Sequence, residues 1–148
     1  MKFKRLNLRN YRNCVEADIN FVNNKTLIIG KNAQGKTNIL ESLYLLSGLK
    51  SPRTSTLTDM IKFGENNFEI NADIIKNDTD IELDFTYDIN KKRELKINKV
   101  KTTPKNFKDV IKTVLFSTKD LLLLRGTPQD RRDWLDRAIS QIYPAYDE

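Results

Sequence analysis

Residues 30 to 37 read Gly30-Lys31-Asn32-Ala33-Gln34-Gly35-Lys36-Thr37. This is the spacing G-x-x-x-x-G-K-[ST] of a phosphate-cradling loop, which works only between a strand and the start of a helix. Lys25-Thr26-Leu27-Ile28-Ile29 precedes it, short, apolar and β-branched, and is expected to be a buried strand. Asn38 to Leu46 follows, with apolar residues at helical spacing. Gly30 and Gly35 let backbone approach an anion closely. The N–H groups and dipole at the following helix start favour a phosphate there. In this chemistry Lys36 reaches the β- and γ-phosphates and the Thr37 hydroxyl ligates Mg²⁺. A glycine turn that merely joined strand to helix would have no use for Lys-Thr after its second glycine.

Elsewhere the pattern predicts a mixed α/β chain. Strands are expected over 2–9, with Leu6 and Leu8 on one face, and over 14–21, with Val15, Ala17, Ile19 and Phe21 at period two. Tyr11-Arg12-Asn13 is a turn between them, and Asn23-Asn24 a hairpin turn into the strand before the loop. A helix over 36–49 should bury Ile39, Leu40, Leu43, Leu46 and Leu49, and end at Gly48 and Pro52. A short helix over 57–63 closes at Gly64. Alternation at 68–74, 81–87 and 95–97 predicts an antiparallel meander, a different sheet style from the parallel one the phosphate loop implies. Pro104 opens a short helical segment, and Thr113 to Phe116 is expected as a core strand. Ser117 to Asp120 forms a helix N-cap region before Leu121 to Leu124. Thr127-Pro128 starts a last helix.

With 148 residues there is room for one domain. No apolar run approaches the ~18 residues of a membrane span. A single cysteine, Cys14, cannot form an internal disulfide and points to a reducing cytoplasm; it reads as an ordinary strand residue. With no histidine, zinc sites and cysteine–histidine nucleophile pairs are excluded. The net charge of +6 favours an acidic partner only weakly. It is concentrated: residues 91–119 hold ten Lys/Arg against two acids. That stretch reads equally as a phosphate-binding face for DNA or as a solvated meander, with aromatics such as Phe107 sparse for stacking a base. Arg131 and Arg132 face DNA or, more blandly, pair with Asp130 and Asp133. Hydrolysis needs a second apolar strand ending in an acid; Val114-Leu115-Phe116 ends in Ser117, and Leu121 to Leu124 runs into Arg125. Either the chain is a degenerate binder or, the favoured expectation, it is the first part of a longer protein, cut before its magnesium-binding acidic strand.

Three blocks carry a resemblance to a known family. They are Leu8-Arg9-Asn10-Tyr11-Arg12-Asn13, the phosphate loop with Asn38-Ile39-Leu40-Glu41-Ser42, and Gly126-Thr127-Pro128-Gln129-Asp130-Arg131-Arg132-Asp133-Trp134-Leu135-Asp136. Ser51-Pro52-Arg53-Thr54 and Val114 to Leu121 fit as well. Over essentially its whole length the chain resembles the N-terminal part of the RecF family of bacterial DNA-repair ATPases, relatives of SMC and ABC-type ATPases. The resemblance implies the N-terminal lobe of an ABC/SMC-type head, with a mixed sheet and an antiparallel meander. It implies ATP and Mg²⁺ as cofactors, an ATP-dependent homodimer with nucleotide between two heads, and binding to single-stranded or gapped DNA. It further implies RecO- and RecR-type mediators, recombinase loading, SOS induction and a weak DNA-dependent ATPase activity when full length; this chain alone is expected to be inactive. Arg12 and Arg53 are carried over as reaching nucleotide phosphates or base; otherwise they read as solvated surface arginines. Residues 116–120 take the place of the ABC glutamine loop, without a glutamine. The alternative of another class is a stand-alone kinase or phosphotransferase, which would need an acceptor site and acidic base within one domain.

Overall fold

The computed structural model describes residues 1–117, 120 and 126–143. It divides into two compact units, Met1–Ile111 and Lys112–Glu148. The first is built on one sheet. Its strands are β1 (Lys2–Tyr11), β2 (Cys14–Asn20), β3 (Asn67–Lys76), β4 (Thr79–Asp88), β5 (Arg93–Ile97) and β6 (Val100–Lys101). They lie in the order β2-β1-β3-β4-β5-β6, every pairing antiparallel. The helices are α1 (Lys36–Gly48) and α2 (Pro104–Lys108), with a 3₁₀ turn over Leu57–Met60.

Period-two alternation sends one residue set of each strand to a common face. On β3 the set is Phe68, Ile70, Ala72 and Ile74; on β4 it is Leu83, Phe85 and Tyr87. The register aligns them, Phe68 opposite Tyr87, Ile70 opposite Phe85 and Ala72 opposite Leu83, while Leu6 and Leu8 of β1 sit opposite Ala72 and Ile70. Leu45, Leu46 and Leu49, with Met60, Phe107 and Ile111, complete the same buried core. Phe68 is its centre: its ring meets Tyr11 at 5.3 Å and Phe85 at 5.5 Å edge-on, and stacks with Tyr87 at 5.8 Å. Such aromatic pairs add to the burial of their area.

The meander, the first hairpin and α1 fall where the sequence pattern puts them. Two parts of the α1 unit do not. Leu40, expected inside, is exposed, and the buried face of α1 turns instead through Glu41, Ser42, Leu45 and Leu46. The segment 25–29, expected as a buried strand, pairs with no described strand, and Leu27 and Ile29 are 85% and 80% exposed. The chain bends at 23–24, but without a following strand there is no hairpin. The antiparallel sheet stops at β2 on that edge, so the parallel pairing expected for this segment does not form among the described residues.

In the second unit Thr113 to Phe116 is likewise not a core strand: it has no regular structure, and Val114 and Phe116 are exposed. Asp120 Oδ2 accepts from the Ser117 backbone N at 2.6 Å and from its hydroxyl at 2.8 Å, as a cap does. Thr118, Lys119 and the run Leu121 to Leu124 lie outside the described residues. The last helix, α3 (Pro128–Ile142), starts at a capping box. Asp130 takes the Thr127 backbone N–H at 2.7 Å, and Thr127 Oγ1 accepts from the Asp130 N–H at 3.3 Å. Asp130 is thus used by the cap, and Arg131 reaches the Gly126 carbonyl at 3.5 Å.

Phe68→Ala would leave a cavity where three rings meet. We expect it to destabilise the chain by about 3–5 kcal/mol, read as a lowered urea midpoint; a loss under about 1 kcal/mol would show that this ring cluster does not organise the core.

A candidate nucleotide site braced by a buried carboxylate

The phosphate loop leads directly into α1, and its backbone explains the glycine at 35. Gly35 caps the helix at φ 88°, left-handed, with its carbonyl accepting from the N–H of Asn38 at 2.9 Å and of Ile39 at 3.1 Å. A Cβ there would be strained by conformation, and would stand 3.4 Å from Asn13 Oδ1. Ala33 is left-handed too, at φ 64°. Lys36 folds back over the loop, its Nζ donating to the carbonyls of Gly30 and Lys31, each at 2.6 Å. Thr37 stands at the first turn, where helix N–H groups have no intrahelical partner. Lys31, Asn32 and Gln34 are exposed around the same loop.

Arg12 and Arg53 do not lie loose on the surface. Both are drawn to Glu41, one turn further along α1 and only 1% exposed. Arg12 donates Nε to Glu41 Oε2 at 3.0 Å and Nη2 to Oε1 at 2.7 Å, a two-pronged pair. Arg53 donates Nη1 to Oε2 at 3.2 Å, and the Ser51 hydroxyl donates to Oε1 at 2.6 Å. Desolvation pushes the Glu41 carboxyl up, but bonds from Arg12 and Ser51 and the charges of both arginines outweigh it, so the group sits below its ordinary value. Burial, and then the Glu41 charge, push the neighbouring Tyr11 phenol far up, so it stays neutral.

The fold brings these groups together by stitching three segments. Arg12 occupies the two-residue turn between β1 and β2 at φ 56°, a conformation that costs a non-glycine residue about 1–2 kcal/mol. Its N–H is held by the Met60 carbonyl at 2.7 Å and its Nη1 by the Asp59 carbonyl at 2.9 Å. Lys62 N–H to the Asn10 carbonyl, at 2.8 Å, closes the same seam. The loop after α1 is shaped by Ser51, whose Oγ accepts from the N–H of Arg53 at 2.9 Å and of Thr54 at 3.3 Å.

A second chain of bonds runs from this cluster to the phosphate loop. Arg53 Nη1 donates to Asn38 Oδ1 at 2.8 Å, Asn38 Nδ2 to Asn13 Oδ1 at 2.7 Å, and Asn13 Nδ2 to the Ala33 carbonyl at 3.2 Å. The structure therefore joins Arg12, Arg53 and the loop 30–37 in one network. Reading the sequence assigned no role to Glu41, Asn13, Asn38 or Ser51. One signal was available: Asn38 and Glu41 stand three apart on α1, so they share a helix face.

Cys14 remains an ordinary strand residue whose thiol is pushed up, first by burial and then by Glu16. Among the described residues no group of three or more His, Cys, Asp or Glu could hold a metal. No helix among them is long and apolar enough to cross a membrane.

Comparison with known proteins gives the same direction. The AAA ATPase domain model matches residues 1–126. The chain is 36% identical over 150 residues to the DNA replication and repair protein RecF of Natranaerobius thermophilus, covering 99% of this chain and 39% of that protein. A solved structure of the recombination mediator protein RecF with ATP, from the RecFOR pathway, superposes with a TM-score of 0.89 at 32% identity, over 97% of this chain and 39% of that one. An SMC ATPase structure superposes with a TM-score of 0.74 over 90% of this chain and 97% of that one; at 18% identity this is a likeness of fold. The chain thus spans about 39% of the length of the RecF proteins it matches.

Glu41 fixes a prediction about acid and truncation. Its folded value lies below the ordinary 4.5, so its contribution to stability is complete above pH 4.5 and is lost as pH falls through the folded value. Glu41→Ala, which strands Arg12 without its partner, should cost about 3–5 kcal/mol at neutral pH and less in strong acid. Urea midpoints measured from pH 7 to pH 3 test this; an equal cost at both ends would remove the ionised carboxylate from the account.

Proposed function

The chain belongs to the AAA ATPase domain family, and from that membership we propose that it is the ATP-gripping lobe of a RecF-like protein of DNA replication and repair. The observation that supports this reading is the loop 30–37 at the start of α1, with Lys36 folded over its carbonyls and Gly35 left-handed. These residues suit a nucleoside triphosphate. The glycine leaves room for close backbone approach, the helix start supplies donors, and Lys36 has neutral carbonyl partners that it can exchange for charged phosphate oxygens. Thr37 would hold Mg²⁺ together with oxygens of the nucleotide itself; the ion, when bound, offsets charge on the β- and γ-phosphates. Arg12 and Arg53 add positive charge beside that place.

DNA is the proposed macromolecular ligand, single-stranded or gapped, with the basic turns of the meander as its face. Lys91, Lys92, Arg93, Lys99 and Lys101 are exposed there. The face is not bare charge: Glu94 pairs with Lys96 at 3.1 Å and Lys101 at 3.3 Å, and Lys99 lies 3.9 Å from Glu82. Phe107 is fully buried and the turns named here carry no aromatic, so binding on them would be through phosphates. Partners of RecO and RecR type, a paired head across ATP, recombinase loading, SOS induction and a cytoplasmic setting complete the proposal by likeness to RecF. Turnover is assigned to the longer protein and not to this lobe.

Two outcomes test it. Lys36→Ala should weaken binding of a fluorescent ATP analogue by about ten- to a hundredfold, the worth of a charge-assisted bond, with an unchanged melting temperature; retained affinity would remove the loop from nucleotide binding. Replacing Lys99 and Lys101 with Glu should weaken single-stranded DNA binding and lower the slope of log affinity against log salt by about 0.7 for each phosphate no longer neutralised. An unchanged slope would return this face to ordinary solvated surface.

A further inference from the structure

Glu41 is a costly residue to place in this fold. A carboxylate removed from water is a poor choice for stability alone: desolvation offsets much of the attraction to its partners, and apolar replacements of whole pairs are often neutral or stabilising. Yet four hydrogen bonds converge on its two oxygens, from Arg12, Arg53 and Ser51, and they come from both sides of the phosphate loop in sequence. The two guanidinium groups it gathers would repel one another without it. One carboxylate between two arginines leaves these three groups net positive, although Asp59 adds a weaker negative influence on Arg12. Arg53 reaches it through Nη1, the same nitrogen that bonds Asn38, and its side chain is 43% exposed. From Asn38 the bonds continue through Asn13 to the Ala33 carbonyl of the loop.

We propose that Glu41 is a positioning residue for nucleotide binding: it holds Arg12 and Arg53 as a preset cationic pair whose Asn38–Asn13 link fixes the phosphate loop. This rests on the nucleotide reading above. Arg12 and Arg53 are the groups that meet the polyphosphate, and Glu41 acts only through them. Presetting them means that no ordering of long side chains has to accompany binding. The ligand class is a nucleoside triphosphate, whose charge the remaining positive charge of the cluster favours.

The test uses the whole chain, a fluorescent ATP analogue and thermal melts. The parent must bind, and Lys36→Ala must bind more weakly as expected above; if the parent fails to bind, the nucleotide reading itself falls, whatever Glu41 does. Glu41→Gln is expected to weaken binding by about ten- to a hundredfold. Arg12→Ala with Arg53→Ala should weaken it similarly, and adding Glu41→Gln to that pair should cause no further loss, because a residue acting through others is non-additive with them. Losses that add, or parent-like affinity in Glu41→Gln, would overturn the proposal and leave Glu41 a packing residue. Should Glu41→Gln fail to fold, Glu41→Asp decides. It keeps the charge but withdraws it by one methylene, so it should melt near the parent yet bind less tightly; parent-like affinity there overturns the proposal equally.

Discussion

The structure depends on a charge kept out of water. Glu41 sits on the buried face of α1 between Ser42 and the leucines of the core, where an apolar side chain would be the ordinary choice. Its partners fix what surrounds it. Arg12 has to stand at the β1–β2 turn in a left-handed conformation, and Ser51 has to return toward α1 just after the helix ends. The seam between Arg12 and Met60 then holds the 3₁₀ turn against the end of β1. The sheet supplies a rigid platform through Phe68 and its ring neighbours. The carboxylate decides how the helix with its phosphate loop is mounted on that platform.

Regular elements were legible in the sequence wherever one face of an element is buried within the first unit. Phe68 to Ile74 and Leu83 to Tyr87 alternate because each strand has a core on one side and water on the other. Pro104 and Thr127-Pro128 mark helix starts because proline suits a first turn. The failures share a cause. Leu27 and Ile29, like Val114 and Phe116, form β-branched or apolar runs that signal a need for burial. Such a run says nothing about which strand will pair with it, and among the described residues none does. Leu40 misleads because apolar residues alone set the expected helical period. The true buried stripe passes through Glu41 and Ser42, polar residues that a hydrophobic pattern assigns to solvent.

The candidate site was legible in part for a related reason. The loop 30–37 declares itself, since its glycines and Lys-Thr serve no packing purpose. Arg12 and Arg53 came from resemblance, 41 residues apart in sequence, with nothing local to connect them. What connects them is a carboxylate on a third element, and long-range polar pairing has no periodicity to read. Asn13 and Asn38 were hidden likewise. An asparagine beside a turn or at a helix start is adequately explained by local capping, so the bond between these two, which ties the turn to the helix, appears only once the chain is folded.

Set side by side, the two positive regions of the molecule obey different physics. The meander lysines are exposed or half-exposed and pair with Glu82 and Glu94 where salt and water screen them, so their effect on a polyanion would be additive, long-ranged and dependent on ionic strength. The arginines at Glu41 are fixed by short bonds around a desolvated charge, where screening is weak and geometry dominates. A surface of the first kind tracks a backbone without reading its sequence. A cluster of the second kind can hold a single polyphosphate in one orientation. On the proposed reading the chain would separate a broad electrostatic attraction from a narrow, preorganised grip, with the buried carboxylate setting the geometry of the grip.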